Sequence, residues 1–69
     1  MKVSVIGLGY IGLPTATILA SHQINVIGVD INSHVVNTVN QGIIHIVEPD
    51  LEYLVRAVVQ TGSLKATTQ

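Results

Sequence analysis

The sequence predicts an α/β fold on a parallel sheet, with elements in the order β-α-β-α-α-β. Three observations carry that expectation. Short runs rich in Val and Ile, bounded by Gly, recur along the 69 residues and read as buried strands. Stretches with helical spacing of apolar residues separate them. Connections of that kind join parallel strands through right-handed crossovers.

Each element has its own justification. Lys2 to Leu8 (KVSVIGL) opens with alternation and finishes apolar, as a strand covered on both faces would. Gly7, Gly9 and Gly12 punctuate the turn that follows. Small and aliphatic residues from about Ile11 to Ser21 predict the first helix. Pro14 fits only in its first turn, where the missing N–H would have no intrahelical partner. His22 to Asn25 break the pattern, and Val26 to Asp30 (VIGVD) read as the second strand. Asn32 or Ser33 can cap a helix over about Ser33 to Gln41, which Gly42 ends in the left-handed conformation. Ile43 to Glu48 form an apolar connector of no predicted type. Pro49 is expected to open a third helix, with Asp50 and Glu52 in its first turn, favourable to the helix dipole. Leu51, Leu54, Val55, Val58 and Val59 then recur at i, i+3, i+4, i+7 and i+8, an amphipathic stripe. Gly62 terminates it, and Leu64 to Thr67 read as a third short strand. The strands are expected in the order 3-2-1. That leaves Val3 to Leu8 as an apolar edge able to pair with another chain.

Composition narrows the function classes. Hydrophobic residues make up 48% and charged residues 10%, the opposite of a disordered segment. Three Lys+Arg against four Asp+Glu give a net charge of -1, so nothing offers a basic field to a nucleic acid. No apolar run approaches the roughly 20 residues that span a bilayer. The N-terminus lacks the features of a secretory signal, so the expected compartment is the cytoplasm. Without cysteine there is no disulfide, zinc-thiolate or cysteine nucleophile in these residues. A chain near 60 residues buries only about 60% of its unfolded surface, so this aliphatic content reads as part of a larger protein. Residues 1–69 are therefore expected to be the incomplete N-terminal part of a domain.

The chemistry sits in Gly7-Leu8-Gly9-Tyr10-Ile11-Gly12. A GxGxxG pattern alone is weak, but this one leaves a strand and enters a helix. Asp30 ends the next strand 18 positions beyond Gly12, against roughly 20 expected of a Rossmann-type dinucleotide site. Gly7 permits the tight turn, Gly9 lacks the Cβ that would hold a pyrophosphate away, and Gly12 lets helix and strand pack closely. Backbone N–H groups near Tyr10 and Ile11, with the positive helix end, would bind the pyrophosphate without any Lys or Arg. Asp30 would accept hydrogen bonds from the adenosine ribose hydroxyls and repel a 2′-phosphate. NAD is expected rather than NADP.

GLGYIGLP, followed by VIGVDIN and then by IHIVEPDL, resembles the N-terminus of the UDP-glucose/GDP-mannose dehydrogenase family across essentially all 69 residues. Within it, Ile44 to Leu51 look most similar to members acting on UDP-N-acetylmannosamine; those acting on UDP-glucose more often carry a Pro there and EPGL in place of EPDL. The resemblance implies oxidation of a UDP-sugar C6 alcohol to the carboxylate with two NAD, for bacterial surface polysaccharides. It also implies that the catalytic Cys and Lys lie in segments other than these, because this chain has no Cys and Lys2 and Lys65 stand in other motifs. No catalytic residue is assigned here, and these residues alone are expected to be inactive. Only Gly7, Gly9, Tyr10, Ile11, Gly12 and Asp30 carry over, as cofactor-binding residues. A homo-oligomer is expected. The alternatives are another sugar specificity (UDP-glucose or UDP-N-acetylglucosamine), a non-catalytic nucleotide-binding half-domain, and a remnant that binds nothing.

The remaining polar residues have plainer readings. His22, His34 and His45 show no metal-ligand spacing and read as surface or connector residues, so no metal is assigned. Glu48 is expected to cap the third helix, with a cofactor- or substrate-side role as the other possibility. Arg56 is expected to extend its charged head to solvent.

Overall fold

A computed structural model describes residues 1–69. The elements are β1 (Lys2–Ile6), α1 (Gly12–Ser21), β2 (Asn25–Val29), α2 (Ser33–Asn40), α3 (Leu51–Gln60) and β3 (Leu64–Thr67). They form one parallel sheet in the order β1-β2-β3, so β1 is an outer strand as expected. Val3 registers with Val26 and Val26 with Leu64; Val5 registers with Gly28 and Gly28 with Ala66. These residues point to one face, over which α1, α2 and α3 pack against the sheet and one another. Between them lies a single core, with Leu8, Leu13, Val26, Val39, Val55 and Leu64 almost wholly buried.

The sheet corrects one expectation. Its strands are covered on one face only. Lys2, Ser4, Ile6, Asn25, Ile27 and Lys65 alternate onto the other face and are exposed. The apolar composition of β1 and β2 therefore exceeds what these helices alone can cover. No helix is long and apolar enough to cross a membrane.

Local chemistry sets the ends. β1 stops at Ile6 rather than Leu8 because Gly7, at φ +88°, turns the chain while its N–H still reaches the Val29 carbonyl at 2.7 Å. Pro14 sits in the first turn of α1, as its missing donor requires. Asn32, not Ser33, caps α2, its Oδ1 accepting from the His34 N–H at 2.9 Å and the Val35 N–H at 3.3 Å. Gly42 closes α2 at φ +75°: its N–H donates to the Val39 carbonyl and the Ile43 N–H to the Thr38 carbonyl, a Schellman pair.

The entry to α3 differs from expectation. Pro49 lies outside the helix, which begins at Leu51, and Asp50 precedes it at φ +70°. Neither Glu48 nor Asp50 caps it with a side chain; the Leu51 N–H donates to the Glu48 backbone carbonyl instead. The left-handed residue redirects the connector, so a proline-first helix start is not available. The stripe behaves as its spacing predicts, with Leu51, Val55 and Val58 buried, Leu54 and Val59 half-buried, and Arg56 exposed. Ile43 to Glu48 adopt no helix or strand, but Ile46 is anchored in the core.

Candidate dinucleotide-binding site

Gly7 to Gly12 form the turn between β1 and α1 at the C-terminal ends of the strands, where open α/β sheets bind their ligands. The contact that shapes it is backbone against backbone. A Cβ built on Gly12 would lie 1.6 Å from the Gly7 carbonyl oxygen, so α1 can start this close to the strand only without a side chain there. Gly9 is different: nothing lies within 4 Å of where its Cβ would be, and that side of the turn is open.

The open side presents donors. The N–H groups of Gly9, Tyr10, Ile11 and Gly12 have no hydrogen-bond partner in the chain, whereas the next one, of Leu13, already donates to the Gly9 carbonyl at 3.0 Å. Four free amides at a helix N-terminus make an anion site without any cationic side chain. The Tyr10 and Ile11 side chains are exposed, by 68% and 83%, so these residues offer their backbone to the site rather than a buried ring or aliphatic plug.

Asp30 follows β2 and is tied to the turn. The Leu8 N–H donates to its Oδ2 and the Asn32 N–H to its Oδ1, both at 2.9 Å. These two amides hold the carboxyl below its ordinary value of 3.8, against a smaller opposing effect of burial and with a lesser contribution from His45. The carboxylate is thus charged and fixed, and each oxygen keeps a lone pair free for a further donor. A depression of about 220 Å³, lined by Ile6, Gly7, Val29, Asp30 and Ile31, lies beside it. Ile31 is 95% exposed at its rim. Larger hollows beside Lys2 and Lys65 and between the ends of α1 and α3 lie away from the turn.

All six residues singled out from the sequence meet in this one place; three further residues, given no such role from the sequence, matter to the site or to the sheet that carries it. Leu8, between the first two glycines, is fully buried, and its side chain lies over Gly28, where a Cβ would come within 2.6 Å of Leu8 Cδ2. A glycine inside a strand pattern is the available signal for such an approach. Asn40 reaches from α2 to both backbone groups of Ala66 on β3. His45 has its Nδ1 enclosed with no hydrogen-bond partner. No pattern in the sequence points to these last two. His22 and His34 are exposed, and no three of the His, Asp and Glu residues gather as metal ligands would.

A glycine turn with free amides entering a helix, an acidic residue closing the next strand, and a parallel sheet define half of a Rossmann-type dinucleotide-binding fold. Residues 1–69 match the NAD-binding domain of the UDP-glucose/GDP-mannose dehydrogenase family. The chain belongs to that family, and the cofactor of the domain is NAD. It is 72% identical over 67 residues to an NDP-N-acetyl-D-galactosaminuronic acid dehydrogenase of Ralstonia nicotianae, covering 97% of this chain and 16% of that protein. It is 67% identical to a UDP-N-acetyl-D-mannosamine dehydrogenase of Campylobacter jejuni, with the same coverage of each. The solved structure of a GDP-mannose dehydrogenase from Pseudomonas aeruginosa superposes with a TM-score of 0.97 at 45% identity, over 100% of this chain and 16% of that one. The chain thus spans about one-sixth of the length of these relatives.

Proposed function

We propose that residues 1–69 hold the adenosine and pyrophosphate of NAD for a nucleotide-sugar 6-dehydrogenase whose catalytic residues lie in other segments. Gly9 supplies the open approach, and the amides of Gly9, Tyr10, Ile11 and Gly12 receive the pyrophosphate oxygens. Gly7 and Gly12 hold the turn in shape, and Asp30 accepts the ribose hydroxyls. The observation that carries this reading is the set of four unpartnered amides over open space, 18 residues before a fixed carboxylate. NAD, when bound, supplies the hydride acceptor. These residues place it and exclude a 2′-phosphate by charge.

For the whole polypeptide we propose oxidation of the C6 alcohol of a UDP-N-acetylhexosamine to the carboxylate, with UDP-N-acetylmannosamine as the first candidate. The IHIVEPDL segment and the identity to the Campylobacter jejuni enzyme support it. The N-acetylgalactosamine epimer is the second candidate, on the 72% identity to the Ralstonia nicotianae enzyme. These residues alone are expected to be inactive. The test has two parts. Titration of the 69-residue chain should show tighter binding of NAD than NADP, with the difference reduced in Asp30→Asn; equal binding in the wild type refutes the ribose assignment. The relatives-length protein, given each UDP-sugar with NAD, should release two NADH per N-acetylhexosamine consumed. Preference for UDP-glucose would refute the substrate assignment and leave the cofactor assignment intact.

A further inference from the structure

Asp30 is fastened from three directions. Its Oδ2 accepts from Leu8 in the glycine turn, and its Oδ1 accepts from Asn32, the N-cap of α2. Its backbone N–H, one residue past β2, donates to the Thr67 carbonyl on β3 at 3.0 Å. That third bond depends on where β3 lies, and one side chain of α2 grips β3 beside it. Asn40 Nδ2 donates to the Ala66 carbonyl at 2.9 Å, and the Ala66 N–H donates to Asn40 Oδ1 at 2.8 Å. The gripped carbonyl belongs to the peptide plane that joins Ala66 to Thr67. Asn40 thus spends both ends of its amide on β3, and only one orientation of that amide satisfies both bonds.

These bonds form a closed circuit. It leaves Asp30 by the carboxylate to Asn32 and runs along the eight residues of α2 to Asn40. From there it crosses to Ala66 and Thr67 and returns to the Asp30 N–H. We infer that Asn40 is a positioning residue for the ribose carboxylate, acting through Asp30 rather than on the cofactor. By holding Ala66 against α2, it sets where Asp30 presents its free lone pairs. The inference rests on the reading of Asp30 as the ribose acceptor, and it gives Asn40 a part in choosing between NAD and NADP. A carboxylate set to accept ribose hydroxyls is also set to repel a 2′-phosphate. Displacing it weakens NAD and relieves NADP together. A clamp that served stability alone would lower the folded fraction and leave the ratio of the two affinities as it was.

Titration calorimetry of the relatives-length protein with NAD and with NADP tests this, at a temperature where circular dichroism shows each variant folded. Asn40→Ala removes both bonds. It should weaken NAD roughly 2- to 30-fold, the range for residues that act on a site through their neighbours, with a smaller loss or a gain for NADP. Asn40→Asp keeps the acceptor for the Ala66 N–H but sets a carboxylate against the Ala66 carbonyl. It should lower the NAD preference likewise, and it decides the matter should Asn40→Ala fail to fold. Val58→Ala loosens the core from α3 without entering the circuit, and should lower Tm with the ratio unchanged. Asp30→Asn checks the underlying reading separately. If that variant keeps the wild-type ratio, the ribose assignment and this inference fall together. If it lowers the ratio while both Asn40 variants keep the wild-type value, Asn40 serves the sheet alone and the inference is overturned. A Val58→Ala protein that loses as much NAD preference as Asn40→Ala overturns it too, because general loosening would then suffice.

Discussion

Replacing Gly12 by alanine strikes the contact on which the turn is built. The new Cβ would lie 1.6 Å from the Gly7 carbonyl oxygen and 2.8 Å from its carbon. Ordinary contact begins near 3.4 Å, so the start of α1 must retreat by about 2 Å. Both partners are backbone, and no rotamer change relieves the collision. The retreat would draw Leu13 and Ala16, both fully buried, away from the sheet. Overpacking costs about 1–3 kcal/mol where side chains can yield, and a backbone collision belongs above that range. At roughly 4–8 °C per kcal/mol for a small domain, a loss above about 3 kcal/mol lowers Tm by at least about 12 °C. Thermal unfolding followed by circular dichroism measures it, with Gly9→Ala as the companion. Gly9 has nothing within 4 Å of the new methyl, so that variant should keep or slightly raise its Tm while losing NAD binding. A Gly12→Ala midpoint within about 4 °C of the wild type would refute the packing argument.

Other perturbations follow from single contacts. Asp50 sits at φ +70° without a side-chain cap, so Asp50→Gly should raise stability by about 0.5–1 kcal/mol, read as a higher urea midpoint. Asn32→Ala removes the acceptor for the His34 and Val35 amides and should cost about 1 kcal/mol in the same assay. The Asp30 carboxyl is held below 3.8 by the Leu8 and Asn32 amides. Its stabilising effect is therefore complete above that value and lost as pH falls through the lower, folded-state value. Urea midpoints measured from about pH 5 downward should fall less steeply in Asp30→Asn than in the wild type. Equal slopes would remove this role from the carboxylate.

The parts that could be read from residues were those fixed by local chemistry. Gly7 and Gly42 stand where the backbone takes positive φ, Asn32 caps the helix it precedes, and the stripe from Leu51 to Val59 faces the core. The glycine turn and Asp30 were legible because their spacing follows from one βαβ unit. What was not legible depends on contacts distant in sequence. Nothing near Asn40 announces Ala66, 26 residues away, and nothing near Asp30 announces that its oxygens also hold Leu8 and Asn32. Asp30 therefore serves structure as well as binding, and a loss of NAD affinity on its removal would report both. The reading of Pro49 as a helix start failed for a similar reason. Its local preference yields to Asp50, whose left-handed backbone sets where α3 begins. The bare face of the sheet contradicts the apolar look of β1 and β2, since strand composition reflects all that covers a strand, not these helices alone.

The account stands on the unpartnered amides of the turn. The measurement that tests it most directly is an amide proton–nitrogen spectrum of the isotopically labelled chain, recorded as NAD is added. Binding at the turn predicts that the Gly9, Tyr10, Ile11 and Gly12 signals move first and farthest, with Asp30 and Ile31 following. Saturating NAD that leaves those four signals in place, or moves only residues of the bare sheet face, would contradict it.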